Sequence, residues 1–125
     1  MEYLMVGIGG FLGANARYVV GGWITRHWDT QFPWGTFVIN VTGSFLLGVL
    51  LAVLNARPTA SAHHRLFFAV GFLGAYTTFS TFSYETLRLA QDQSVVTALL
   101  NITGSVLLGL IGVVLGAYLG EFVSK

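Results

Sequence analysis

Leu66-Phe-Phe-Ala-Val-Gly-Phe-Leu-Gly-Ala-Tyr-Thr-Thr-Phe-Ser-Thr-Phe-Ser-Tyr84 carries no charged residue. About 20 apolar residues cross the hydrocarbon core of a bilayer as a helix, and this stretch is long enough. Its second half is unusual for such a helix. Residues 77–83, Thr-Thr-Phe-Ser-Thr-Phe-Ser, place five hydroxyls and two phenyl rings where Leu, Ile and Val are expected. A hydroxyl buried in hydrocarbon must find a partner or cost free energy. Such a run points to a span that holds backbone, water or an ion.

The rest of the chain fits a membrane setting. Of 125 residues, 54% are hydrophobic and 9% charged, with a mean hydropathy of +0.73. Soluble domains carry about 25% charged residues. Charges are also absent from 3–16, 18–25, 30–56 and 93–120, so the pattern predicts four transmembrane helices at 3–25, 34–55, 66–89 and 95–120. Arg17 lies within the first. That span lacks a basic leading segment and continues past Arg17 to Trp23, unlike a signal peptide. There is no Cys, hence no disulfide or thiolate metal site. A net charge of +1 with scattered basic residues argues against nucleic-acid binding. The expected fold is a single all-α membrane domain over 1–125, with the third helix broken near Gly74 and Thr77.

An even number of spans places both termini on one side, with Arg57, Arg65 and Lys125; the other side holds Arg26 and Arg88. Orientation normally follows a Lys/Arg excess on the cytoplasmic side, and here the excess is one charge. Two readings stay open: one weakly biased orientation, or dual topology, which would permit an antiparallel homodimer. Four helices enclose little space, so polar residues at membrane depth are expected to face a partner subunit.

Gly-Phe-Leu-Gly-Ala at 10–14 recurs at 71–75, and Asn-Val-Thr-Gly-Ser-Phe-Leu-Leu-Gly at 40–48 recurs as Asn-Ile-Thr-Gly-Ser-Val-Leu-Leu-Gly at 101–109. Both offsets are 61 residues, which suggests two parallel helix-pair repeats, 1–61 and 62–125. Chance likeness between Gly- and Leu-rich helices is the alternative. Gly7, Gly10 and Gly13, and Gly112, Gly116 and Gly120, read as seams of close helix contact.

Several polar residues lie at membrane depth. Asn40 is either an interhelical hydrogen-bonding residue or a donor aimed at an anion. Thr36 shares its helix face. Arg17 has Glu85 as its nearest candidate partner; otherwise it is a snorkelling head or a fixed charge that attracts anions. His63 and His64 read as loop residues without a third metal ligand. Trp23, Trp28, Trp34 and Tyr3 form an interfacial aromatic belt. Phe79 and Phe82, spaced i, i+3, share a helix face, and their positive ring edges suit an anion. The alternative for the run is hydroxyls bonded back to helix carbonyls and rings packed in the core. No nucleophile elbow, paired carboxylates or metal-ligand set appears, so no enzyme activity is expected.

Gly71-Phe-Leu-Gly-Ala-Tyr-Thr-Thr-Phe-Ser-Thr-Phe-Ser-Tyr-Glu85 resembles the third-helix signature of the Fluc/CrcB fluoride channels. Trp34-Gly-Thr-Phe-Val-Ile-Asn40 resembles their second-helix motif, and Gly10 to Arg17 their first-helix pattern. The resemblance covers nearly all of the chain. It implies a passive channel exporting fluoride across the cell (inner) membrane, built as an antiparallel, dual-topology homodimer with two pores. Phe79 and Phe82 match the phenylalanines whose edges line the fluoride path. Asn40 matches the pore asparagine, and Ser80 and Thr81 match hydroxyls beside the path. Gly74 and Thr77 match the residues whose backbone carbonyls hold a structural sodium ion at the dimer centre. Arg17 matches an arginine near an aqueous vestibule. Ala75 departs from the family, where many members have a second Gly, and Asn101 stands where an aromatic often occurs.

Fluoride is small and strongly hydrated, so a pore must replace its water with dense, short donors. Ring edges bind loosely enough for the ion to leave. A small multidrug-type exporter has a similar size, but it needs a carboxylate in its first span, where this chain has Arg17. A scaffolding membrane subunit would leave Asn40 and the hydroxyl run unexplained.

Overall fold

The protein is described from a computed structural model that covers residues 1–57, 59 and 62–125. Pro58 and the repeat boundary at Ser61 lie outside the described residues. Helix α1 spans Glu2–His27, α2 Trp34–Ala56 and α6 Val95–Val123. The third span, Ala62–Asp92, is composite. It begins with the turn α3 (Ala62–His64), widens into a π-helix, π1 (Arg65–Leu73), and narrows again in α4 (Gly74–Tyr76). After Thr77 and Thr78 it resumes as α5 (Phe79–Asp92). Four helical stretches are therefore long and apolar enough to cross a membrane, and the protein is a multi-pass membrane protein. Each extends one to a few residues beyond its predicted bounds, because flanking polar residues continue the last turns. His63 and His64 correct the loop expectation: they form the first turn of the third span.

The helices start where side chains replace missing backbone partners. Ser94 Oγ accepts the Thr97 N–H at 3.1 Å and caps α6. Thr78 Oγ1 accepts the Thr81 N–H at 3.3 Å and caps α5. Between α1 and α2, Trp28 and Trp34 meet edge to face at 5.7 Å, and Trp34 packs likewise on Phe37 at 5.6 Å. These rings gather at one end of the bundle, as an interfacial belt requires.

Packing is by close backbone approach. Helix α1 lies chiefly on π1, and α2 on α6. A Cβ at Gly13 would collide with the Phe72 carbonyl, and one at Gly71 would stand 2.8 Å from the Val6 carbonyl oxygen. Across the other pair, a Cβ at Gly116 would collide with the Phe45 carbonyl. These glycines let the backbones touch, where dispersion holds helices together in lipid. The expected seam at Gly112, Gly116 and Gly120 is in place. In the first helix the tight contacts come from Gly9 and Gly13, whereas Gly7 has nothing within 4 Å. The seam there follows a four-residue step rather than the three-residue step of Gly7, Gly10 and Gly13, because four residues nearly complete a helical turn. The inner core is small, centred on Ile39, Leu73 and Tyr76. Leu99, Val106, Leu110 and Ile111 face outward, where lipid would meet them.

Candidate functional site

The third span loses helical geometry at two residues. Thr77 has φ −79° and ψ 158°, and Thr78 has φ −150° and ψ 119°. Extended backbone in the middle of a span leaves peptide groups without their helical partners, which is tolerated only where protein or a cavity satisfies them. Asn40 of α2 supplies that satisfaction. Its Nδ2 donates to the Thr78 carbonyl at 3.0 Å, and its Oδ1 accepts the Thr78 N–H at 2.8 Å. The side-chain amide thus pairs with both backbone groups of one residue, as a neighbouring strand would. Gly43, three residues further along the same face, makes room: a Cβ there would collide with Thr77 Cγ2.

At the break, side-chain oxygens take two amides from their helical carbonyls. In a continuous helix the Gly74 carbonyl would accept the Thr78 N–H, but Asn40 takes that proton. The Thr77 carbonyl would accept the Thr81 N–H, but Thr78 Oγ1 takes it. Gly74 and Thr77, the residues expected to offer carbonyls to a cation, lie at this break, where the carbonyls of Ala75 and Tyr76 lose their helical partners as well. Gly74 and Thr77 line a cleft of about 290 Å³ together with Asn40, Ser44, Thr78 and Phe79.

The five hydroxyls of the run divide by partner. Thr77 Oγ1 donates back to the Leu73 carbonyl at 3.0 Å, and Ser83 Oγ to the Phe79 carbonyl at 2.9 Å. Thr78 Oγ1 donates to Thr81 Oγ1 at 3.1 Å and lies 3.5 Å from Ser80 Oγ. The back-bonding alternative thus holds for Thr77 and Ser83, while Thr78, Ser80 and Thr81 form a cluster at the start of α5. Phe79 and Phe82 are neighbours, with centroids 5.9 Å apart and planes tilted by 44°. The Phe79 ring is 79% exposed, and Ser80, Thr81 and Ser83 are exposed as well.

One candidate partnership is not formed. Glu85 does not meet Arg17; its Oε1 accepts from Thr36 Oγ1 at 3.0 Å, joining the α2 face that carries Asn40. Arg17 is half-buried on α1 and has no ion pair among the described residues. Sequence reasoning missed the capping role of Thr78, which a hydroxyl residue directly before a polar helical face can signal. It also missed the pairing of Thr36 with Glu85, two residues that lie in different spans.

A profile of the family described as CrcB-like protein, Camphor Resistance (CrcB), matches residues 4–117. The chain belongs to the CrcB family. Its relatives include a fluoride-specific ion channel FluC of Acidobacterium capsulatum, 54% identical over 97% of each chain. Another FluC, from Thermus thermophilus, is 48% identical over 95% of this chain and 93% of its own. FluC 2 of Clostridium acetobutylicum is 43% identical over 100% of this chain and 99% of its own. The matched residues reach into all four spans.

Proposed function

We propose that the chain is a fluoride-specific channel that lets the anion leave the cell passively across the cell membrane, relieving fluoride toxicity. It works as an antiparallel homodimer. The observation that carries this reading is a polar surface at membrane depth. Phe79, Ser80, Thr81 and Ser83 are exposed on the single chain, although they lie within a membrane-spanning stretch. Hydroxyls in that position do not face lipid without cost. A second copy covers them, and fluoride passes along the polar strip so formed.

In this reading the third helix acts as a broken helix. Asn40, Ser80 and Thr81 offer N–H and O–H donors to the anion, and the edges of Phe79 and Phe82 hold it loosely between donors. Chloride is larger and fits a narrow slot poorly. The carbonyls of Gly74 and Thr77, with their usual amides engaged elsewhere, suit a hard cation such as sodium, which takes oxygen ligands. One such ion at the dimer centre would neutralise carbonyl dipoles that point at each other. Arg17 draws fluoride to the mouth of the path. The family membership and the names of the relatives support this choice of ion.

The test is ion efflux from liposomes containing the purified protein. Fast fluoride release with no chloride release is expected. Folded dimers that release no fluoride, or that release chloride equally, would sink the reading.

A further inference from the structure

Asn101 is the most deeply buried polar side chain among the described residues, at 1% exposure. It belongs to α6, and no step above uses it. Its Nδ2 donates to Thr86 Oγ1 of α5 at 2.9 Å. Thr86 Oγ1 in turn donates to the Phe82 carbonyl at 2.7 Å. Ser105 Oγ donates to Asn101 Oδ1 at 3.4 Å, which places the Asn101 oxygen away from Thr86. The direction of the chain follows from the chemistry. An amide N–H can only donate, so Thr86 accepts from Asn101 and turns its own proton toward Phe82.

Helix α5 needs such a tether. Of its residues only Leu89 is buried, so apolar packing alone holds it weakly. Its cap, Thr78, is fixed by Asn40. Eight residues later, about 12 Å along the helix, Thr86 is fixed by Asn101. Asn40 and Asn101 are the two asparagines of the 61-residue sequence echo. One holds the start of α5 and the other its middle.

We infer that Asn101, acting through Thr86, is a positioning residue that sets the rotation of α5 and hence the place of the Phe82 ring in the ion path. This rests on the fluoride-channel reading above. Thr86→Val keeps the shape and removes the hydroxyl; Thr86→Ser keeps the hydroxyl. Asn101→Ala removes the donor.

The experiment pairs fluoride efflux with a reading of ring position that does not depend on flux. Thr86→Val and Asn101→Ala should each lower flux per folded dimer about tenfold, the scale of one hydrogen bond. The double variant should be no slower than either single, since both break one chain. Thr86→Ser should conduct as the unaltered protein does. With Phe82 replaced by 4-fluorophenylalanine and no fluoride present, the ¹⁹F resonance should move in Thr86→Val and Asn101→Ala and stay in Thr86→Ser. Unaltered flux in Thr86→Val, additive effects in the double variant, or an unmoved resonance would each overturn the inference. If the unaltered protein releases no fluoride, the channel reading falls, and the resonance alone still decides whether Asn101 positions the ring.

Discussion

Asn40 does the work of a missing strand. With one acceptor and one donor it satisfies both backbone polar groups of Thr78, and a second Nδ2 hydrogen remains for another acceptor. Replacing it by Leu keeps the bulk and leaves two backbone groups unpaired, at about 1–3 kcal/mol each. Asn40→Leu should melt well below the unaltered protein and lose fluoride flux. Asn40→Asp keeps an acceptor for the Thr78 N–H but sets a negative group against the Thr78 carbonyl and against an arriving anion. It should conduct no fluoride even where folded. Efflux and thermal melting in detergent check both, and normal flux in Asn40→Asp would remove the amide from the path. Sequence alone placed Asn40 at membrane depth with two roles open. The geometry realises the interhelical bond, and the second Nδ2 hydrogen makes the proposed role toward an anion compatible with it. Thr78 stayed unassigned because a cap is defined by where a helix restarts, and five adjacent hydroxyls hid that point.

At the scale of the element, the third span is the least legible part of the chain. Its hydroxyls and glycines signal an interruption, but nothing in their spacing signals that Arg65–Leu73 is π-helical. The wider turn accompanies tertiary contact: the carbonyls of Phe67 and Phe72 lie against Gly9 and Gly13 of α1. Such contacts join residues far apart in sequence, so local propensity does not report them. The interruption itself carries a consequence. The Gly74 and Thr77 carbonyls have lost their helical amides, and a bound cation would take their place. A ligand that binds only the folded dimer raises its stability by about 2.7 kcal/mol at a hundredfold excess over Kd. Melting in sodium chloride should therefore lie above melting in N-methyl-D-glucamine chloride at equal ionic strength. Equal melting temperatures would remove the cation from the interruption.

At the scale of the whole molecule, the four spans were plain in the sequence, because long uncharged stretches leave a helical hairpin few other places to go. Whether a face meets a second copy was not, because a surface that does and one that meets lipid can both be apolar. What separates them is the exposed polar strip on α5 and the charge balance at the two ends. Arg57, Arg65 and Lys125 stand on one side against Arg26 and Arg88 on the other. The structure leaves this small bias as it is. Arg88 is paired with Asp92 at 2.7 Å on its own side, while Arg65 donates to the neutral Asn55 at 2.8 Å. Orientation responds chiefly to Lys and Arg, with little contribution from acids, so the count stays near balance, and the proposed antiparallel dimer requires insertion in both directions. The chain has no Cys, so Lys125→Cys would carry the only thiol. An impermeant maleimide applied to intact cells should label about half of that population, with the rest labelled after lysis, as expected for a near-balanced Lys/Arg count. Labelling of all or none before lysis would mean a single orientation, and the antiparallel dimer could not form.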